Sequence, residues 1–341
     1  MTTTISAPAL ADAVVALRAA GCVFAEDEAA VLGSAAVDEA ALAALVRRRA
    51  DGEPLEQVVG YADFCGLRVR LRPGVFVPRV RSELLVRLGA QHADEARRDR
   101  IGGDVVVVDL CCGSGALGLA VAARSHPSVL YAADVDPNAV ACARDNFAGI
   151  TTPSAAEPMD DVTTPDAGRS VVKGDHSATA QPRNDVTTRD ASRSAVEGGD
   201  SAAGERGEDV GGSAGWAPAG RLGERVFQGD LFGALPAELA GTIDVLLANV
   251  PYVATRHIPL LPTEARDHEP HTALDGGADG LDVFRAVVTG APRWLAPGGI
   301  VLSEITEAQI DAAVSAVRAA GLLAEVAHDE DLEATVVTGR R

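Results

Sequence analysis

The sequence predicts an α/β protein: a mostly parallel sheet that closes in an antiparallel C-terminal hairpin, with a small helical unit in front. Three observations carry this. The apolar run Ile243 to Ala248 reads as a buried strand and ends abruptly in Asn249-Val-Pro-Tyr252. The β-branched run Asp104 to Leu110 reads as a buried parallel strand, followed by Cys111-Cys-Gly113-Ser-Gly115 and an Ala/Leu-rich helix. Further strands and helices then alternate to the C-terminus.

Residues 6 to about 50 read as helical. Leu10, Val14 and Leu17 fall at i, i+4 and i+7, Leu42, Leu45 and Val46 mark a second apolar stripe, and Gly21 and Gly52 serve as stops. Residues 1–52 are therefore expected as a helical domain, and its lack of clustered carboxylates, His or Cys suits docking rather than chemistry. Residues 53–83 are punctuated by Gly, Pro and Arg. Alternating Leu67, Val69 and Leu71 predict one strand and Val75-Phe-Val77 another, a β-hairpin connector, and Ser82 with Glu83 starts a helix through Leu88.

The third domain spans 84–341. After the strand at 104–110, strand Val129 to Ala133 ends in Asp134, and helix 137–147 opens with Pro137 in its first turn. Residues 151 to about 220 then change character to Ser, Thr, Gly, Asp, Pro and Ala. Residues 161–178 recur in 185–202, without an apolar consensus that could bury a core. A duplicated, disordered insertion is expected, cut first in limited proteolysis; a protected core over 155–215 would refute it. Structure resumes with a short strand at 225–230. A polar loop is expected over 264–280, then helix 281–293, Pro297-Gly-Gly299, strand Ile300 to Ile305, helix 307–320, and terminal strands around 322–327 and 333–338.

Composition narrows the function. The net charge of −19 argues against broad nucleic-acid binding, which needs a basic face. The single lysine, Lys173, leaves no Lys nucleophile or Schiff base outside its own segment. Cysteines 22, 65, 111, 112 and 142 form neither a disulfide framework nor a zinc pattern. The start Met1-Thr-Thr-Thr-Ile-Ser6 lacks the basic region of a signal peptide, and no apolar run approaches the roughly eighteen residues of a membrane span, so a cytoplasmic protein is expected. His268, Glu269 and His271 hint at a metal, but Pro270 spoils a helical ligand face, and no metal is expected.

The candidate site lies beyond the strand ends, where open α/β sheets bind ligands. Gly113 and Gly115 permit close backbone approach, and the helix behind them favours an anionic group. Asp134 follows by about twenty residues, where a carboxylate grips ribose hydroxyls. Gly113-Ser-Gly115-Ala-Leu-Gly118 also fits the dinucleotide fingerprint of a dehydrogenase. Asp109, placed to orient a cofactor group, and the lack of a general acid in Asn249-Val-Pro-Tyr252 point away from hydride transfer. Asn249 offers a donor and an acceptor, Tyr252 a flat face, and Pro251 holds Val250 extended, a set suited to another planar amide or amino group.

With these residues in place, the chain resembles the class I S-adenosylmethionine methyltransferases, and within them the HemK/PrmC family of protein-(glutamine-N5) methyltransferases. The resemblance runs through Pro54-Leu55, Gly60, Phe64-Cys-Gly66, Val77-Pro-Arg79, Asp109-Leu-x-x-Gly-x-Gly115, Asp134, Gly229-Asp-Leu-Phe232, Asn249-Val-Pro-Tyr252, Glu269-Pro270 and Ala273-Leu-Asp-Gly-Gly277. It implies a Rossmann-like sheet of seven strands and S-adenosylmethionine as cofactor. Cys111, Cys112, Gly113, Ser114 and Gly115 would lie along its methionine part, with Asp109 and Asn249 beside it. Asp134 would take the ribose, and Asp230 and Leu231 the adenine. Asn249, Val250, Pro251 and Tyr252 would hold the substrate glutamine. The partner implied is a protein presenting that glutamine, a release factor or ribosomal protein, met by a monomer. Three departures stand out: Asn-Val-Pro-Tyr for Asn-Pro-Pro-Tyr, Cys111 for the first Gly of the cofactor turn, and Val80-Arg-Ser-Glu83 for Pro-Glu-Thr-Glu. The same tetrapeptide serves N6-adenine methyltransferases, which is the enzymatic alternative; a non-catalytic cofactor-binding interaction protein is the other.

Overall fold

The computed structural model describes residues 5–99, 104–125, 129–149 and 225–341. The chain begins with α1 (Ala7–Ala19), α2 (Ala25–Ala35) and α3 (Glu39–Ala50). Ser6 and Asp38 cap α1 and α3 by accepting from Ala9 N and Ala41 N. Leu17, Leu32, Leu42 and Val46 close a small core between the three.

After α4 (Leu55–Val59) come β1 (Tyr61–Phe64) and β2 (Leu67–Arg70), an antiparallel hairpin. Its turn is Cys65-Gly66, with φ of 51° and 80°, the two positive values of a type I′ turn. The hairpin therefore lies earlier than the sequence predicts. Val75 and Val77 are buried but the segment is not a strand: the Val75 carbonyl accepts from the Gln57 side chain at 3.0 Å instead of from a neighbouring strand. Helix α5 (Glu83–Asp99) runs well past the expected end at Leu88. Gly89 does not break it but lets it sit close on the sheet, since a Cβ there would meet Leu247 Cδ2 at 2.9 Å.

The main sheet is assembled from β3 (Val106–Leu110), β4 (Val129–Asp134), β5 (Val226–Gln228), β6 (Ile243–Ala248), β7 (Leu295–Ile305), β8 (Leu323–Asp329) and β9 (Ala334–Arg340). Between them run α6 (Ala116–Ser125), α7 (Pro137–Gly149), α8 (Thr263–His268), α9 (His271–Leu274), α10 (Asp282–Trp294) and α11 (Ile310–Ala319). The spatial order is β5-β4-β3-β6-β7-β9-β8, parallel as far as β7 and antiparallel across β9 and β8. Seven strands with a C-terminal hairpin agree with the sequence expectation. Apolar clusters cover both faces, one including Val107, Leu119 and Leu247, the other Val108, Leu246 and Phe284.

Two local expectations need correction. Residues 264–280 are not one loop. Pro262 and Pro270, with φ of −51° and −64°, stand at the N-caps of α8 and α9, where the missing N–H costs the helix no hydrogen bond. Strand β7 begins before Pro297-Gly-Gly299 rather than after it, and the register on β6 shifts between Ile243 and Val245. The expected insertion and its internal duplication, at about 151–220, lie outside the described residues. Among the described residues no helix is long and apolar enough to cross a membrane.

Candidate active site

The order of strands reverses between β3 and β6, and the register pairs Leu110 with Ala248. The next residues, Cys111 and Asn249, therefore leave the sheet side by side at the switch point, where open α/β sheets form their crevice. There the chain lines a cavity of about 670 Å³, inside the usual range of roughly 300–1,000 Å³ for ligand sites.

On the β3 side, Cys111, Gly113 and Gly115 all take positive φ, 55°, 55° and 77°. Gly113 and Gly115 answer different needs. A Cβ on Gly113 would meet nothing within 4 Å, so this residue keeps the cavity wall open. A Cβ on Gly115 would meet Phe147 at 2.8 Å, and Gly115 does not line the cavity; it is a packing glycine. Gly113 N donates to Asp134 Oδ2 at 2.9 Å, and Asp136 N donates to Oδ1 at 2.9 Å. Burial raises the Asp134 carboxyl above its ordinary range, while these two hydrogen bonds oppose the shift. Gly229 N donates to the Asp134 carbonyl at 3.0 Å, which brings Asp230 and Leu231 to the same wall. Cys111, Cys112 and Ser114 line it as well, and burial pushes the Cys111 thiol up to about 12.

Asp109 is placed elsewhere than the sequence suggests. It is 1% exposed and does not line the cavity; its Oδ2 accepts from Gly118 N at 2.9 Å, stapling β3 to the first turn of α6. Burial lifts its carboxyl to about 7. The structure thus places Asp109 between β3 and α6 and not on the cavity lining, because the pleat turns its side chain to the sheet face that α6 covers.

On the β6 side, Asn249, Val250, Pro251 and Tyr252 all line the cavity. Asn249 Nδ2 donates to Ser82 Oγ at 3.2 Å, and Ser82 Oγ donates to Glu304 Oε2 at 2.6 Å. Asn249 Oδ1 is buried and has no hydrogen-bond partner in the protein. The Tyr252 hydroxyl donates to Glu304 Oε1 at 2.9 Å, and the Arg81 guanidinium lies 5.6 Å from the Tyr252 ring centroid. Burial raises the Tyr252 phenol above its usual value. Behind the tetrapeptide, Gln309 Nε2 donates to the Tyr252 carbonyl at 2.9 Å. A Cβ on Gly276 would stand 2.6 Å from the Pro251 carbonyl oxygen, and one on Gly280 would overlap the Tyr252 carbonyl oxygen.

A second unpaired acceptor lies on the same cavity lining. The Glu269 side chain is fully buried; Oε1 pairs with Arg79, and Oε2 has no partner in the protein. His268 and His271 do not converge with it, and among the described residues no cluster suits a metal. Glu304 was not singled out from the sequence, and Ser82 was read there only as a helix start and not as a site residue. A carboxylate inside the apolar run Val301-Leu-Ser-Glu-Ile305 was the available signal, because charged residues are almost never fully buried without a partner.

A sheet in this order, with a glycine turn on one side of its switch point and a polar tetrapeptide on the other, defines a class I methyltransferase. A family model described as methyltransferase small domain matches residues 82–169. A release factor glutamine methyltransferase of Gloeobacter violaceus is 30% identical over 79% of this chain and 67% of its own length. One from Geobacter sulfurreducens is 27% identical over 78% of this chain, and the match spans 65% of that relative. A 4-amino-L-phenylalanine/4-methylamino-L-phenylalanine methyltransferase of Streptomyces pristinaespiralis is 28% identical over 81% of this chain and 70% of its own length. The chain belongs to the release factor glutamine methyltransferase family.

Proposed function

We propose that this protein transfers a methyl group from S-adenosylmethionine to the side-chain amide nitrogen, N5, of a glutamine in a peptide chain release factor. One observation carries it: the buried, unpaired Oδ1 of Asn249, on a residue that leaves the sheet beside the Cys111 turn. An acceptor without a partner is costly in a folded protein unless a ligand donor satisfies it. An amide NH2 is such a donor. Membership of the family favours this assignment over the N6-adenine alternative, and so does the net charge of −19.

The residues present fit the cofactor. The open side of Gly113, the half-buried Asp134 and the volume of the cavity suit a nucleoside with a charged tail. When bound, the cofactor supplies an electrophilic methyl group on a positively charged sulfur. Cys111, Cys112, Gly113 and Ser114 would run along its methionine part, Asp134 would accept from the ribose hydroxyls, and Asp230 and Leu231 would border the adenine.

An amide nitrogen is a weak nucleophile because its lone pair is delocalised. Asn249 Oδ1 accepts one of its N–H bonds and the Val250 carbonyl the other, which fixes where the nitrogen points. The Tyr252 ring packs on the amide plane and excludes water. Catalysis is then mainly a matter of position. Helices α1–α3 dock the protein substrate, and the enzyme acts as a cytoplasmic monomer.

Methylation of purified release factor with tritiated cofactor tests this. In Asn249→Ala the rate is expected to fall by about 10²-fold or more, with cofactor affinity kept within a few-fold. Activity retained in that variant, with cofactor binding lost, contradicts the role given to Asn249. Labelling a lysate with and without protease or nuclease decides between a protein and a nucleic-acid acceptor.

A further inference from the structure

Asn249 presents an acceptor to a substrate only if its amide is held one way round, and the structure shows what holds it. Nδ2 donates to Ser82 Oγ, and Ser82 Oγ donates to Glu304 Oε2. A carboxylate offers only acceptors, so the serine proton lies toward Glu304 and a serine lone pair toward Asn249. Reversing the amide would set Oδ1 against that lone pair. The polarity of the chain is thus decided at its far end, by the charge on Glu304.

That charge sits in a nearly dry place: Glu304 is 2% exposed and Ser82 0%. Arg81 Nε lies 2.8 Å from Glu304 Oε1, the oxygen that also accepts from the Tyr252 hydroxyl. The other oxygen is left to Ser82. The entry to α5, the end of β6 and the end of β7 therefore meet in one hydrogen-bonded chain that ends on the substrate side of Asn249.

We propose that Ser82 and Glu304 are positioning residues for methyl transfer, orienting the Asn249 amide so that Oδ1 and not Nδ2 meets the N–H of the acceptor group. This rests on the assignment of Asn249 as the residue that binds the substrate amide. It implies an inversion at one position. In Glu304→Gln, a side-chain amide donating to Ser82 turns the serine proton toward Asn249. Asn249 then gives Oδ1 to Ser82 and Nδ2 to the substrate, donor against donor.

Two readouts test the relay, and the first needs no substrate. The chain has four asparagines, Asn138, Asn146, Asn184 and Asn249. In protein labelled with 15N at asparagine alone, the Asn249 side-chain pair is the one missing from Asn249→Ala. Ser82→Thr, which keeps the hydroxyl, is expected to leave that pair in place. Ser82→Ala and Glu304→Gln are expected to move it while the Asn146 pair, held by Ser114 and Arg70 carbonyls, stays put and reports an intact fold. An unmoved Asn249 pair in both variants overturns the proposal whatever the substrate proves to be.

The second readout is kinetic, on release factor. Ser82→Thr is expected within about threefold of wild-type kcat/KM, Ser82→Ala about 10-fold to 100-fold lower, and Glu304→Gln more than about 100-fold lower. Affinity for S-adenosylhomocysteine is expected to stay within about threefold throughout. Equal losses in the Thr and Ala variants, or cofactor affinity falling in step with kcat, overturn the relay. Full activity in Asn249→Ala would instead remove the assignment on which it rests.

Discussion

At the scale of single residues, the site separates two carboxylates, one half-buried and one fully buried, with opposite duties. Asp134 stays at the cavity wall with two backbone donors on it, whereas Asp109 is sealed between β3 and α6 with one. The folded pKa of Asp109, about 7, lies above its ordinary value of 3.8. Between those two values the folded chain keeps a proton that the unfolded chain releases, so the contribution of Asp109 to stability falls as pH rises through that window. Asp109→Asn keeps an acceptor for Gly118 N and removes the ionisation. Its urea-unfolding free energy is expected to lose about one proton's worth of slope between pH 4 and pH 7, and to exceed wild type at pH 8. An unchanged slope would show that Asp109 does not titrate in that window. The sequence showed Asp109 at the right distance from the glycine turn. It did not show which face the side chain took, because that depends on the parity of a pleat whose two faces are both apolar: Val107 packs on one side, Val108 and Leu110 on the other.

At the scale of elements, the tetrapeptide is held from behind by a glycine loop. The Cβ of an alanine at 276 would sit 2.5 Å from the Gly280 carbonyl oxygen and 2.6 Å from that of Pro251. Both are backbone atoms, so relief requires moving Asn249-Val-Pro-Tyr252 itself. Gly276→Ala is expected to cost about 1–3 kcal/mol in urea unfolding and about 10²-fold in kcat. A variant with wild-type kcat would show that the loop does not set the position of the tetrapeptide. Gly276 was readable as part of the family resemblance, but its partner carbonyls were not. The contact between Ser82 and Glu304 escaped notice for the same reason: 222 residues separate them, and neither spacing nor periodicity reports a contact across that distance. The shifted hairpin has a local cause. A Cys-Gly turn with two positive φ values closed β1 on β2 before Val75 could pair.

For the whole molecule, Arg49 links the N-terminal helices to the cavity rim. From α3 its Nε lies 2.6 Å from Glu28 Oε2 on α2, and its Nη1 2.6 Å from Glu264 Oε1 on α8, a residue of the cavity lining. The Arg49 and Glu28 side chains are nearly buried, with only 10% and 13% exposed, whereas Glu264 is about half exposed and its share is screened. Arg49→Met leaves the Glu28 carboxylate without its cation and is expected to cost about 2–3 kcal/mol in urea unfolding. If α1–α3 dock the protein substrate, the same change raises KM for release factor more than it lowers kcat. An effect on cofactor affinity alone would speak against docking.

Strand and helix order, the glycine turn, the acidic end of β4 and the polar end of β6 were determined by the sequence itself, because each follows from local pattern: buried runs, required backbone angles and turn chemistry. The tertiary structure decided which carboxylate faces the cavity, which glycines are packed rather than open, and which way round the Asn249 amide stands. Those depend on partners brought together only when the sheet closes.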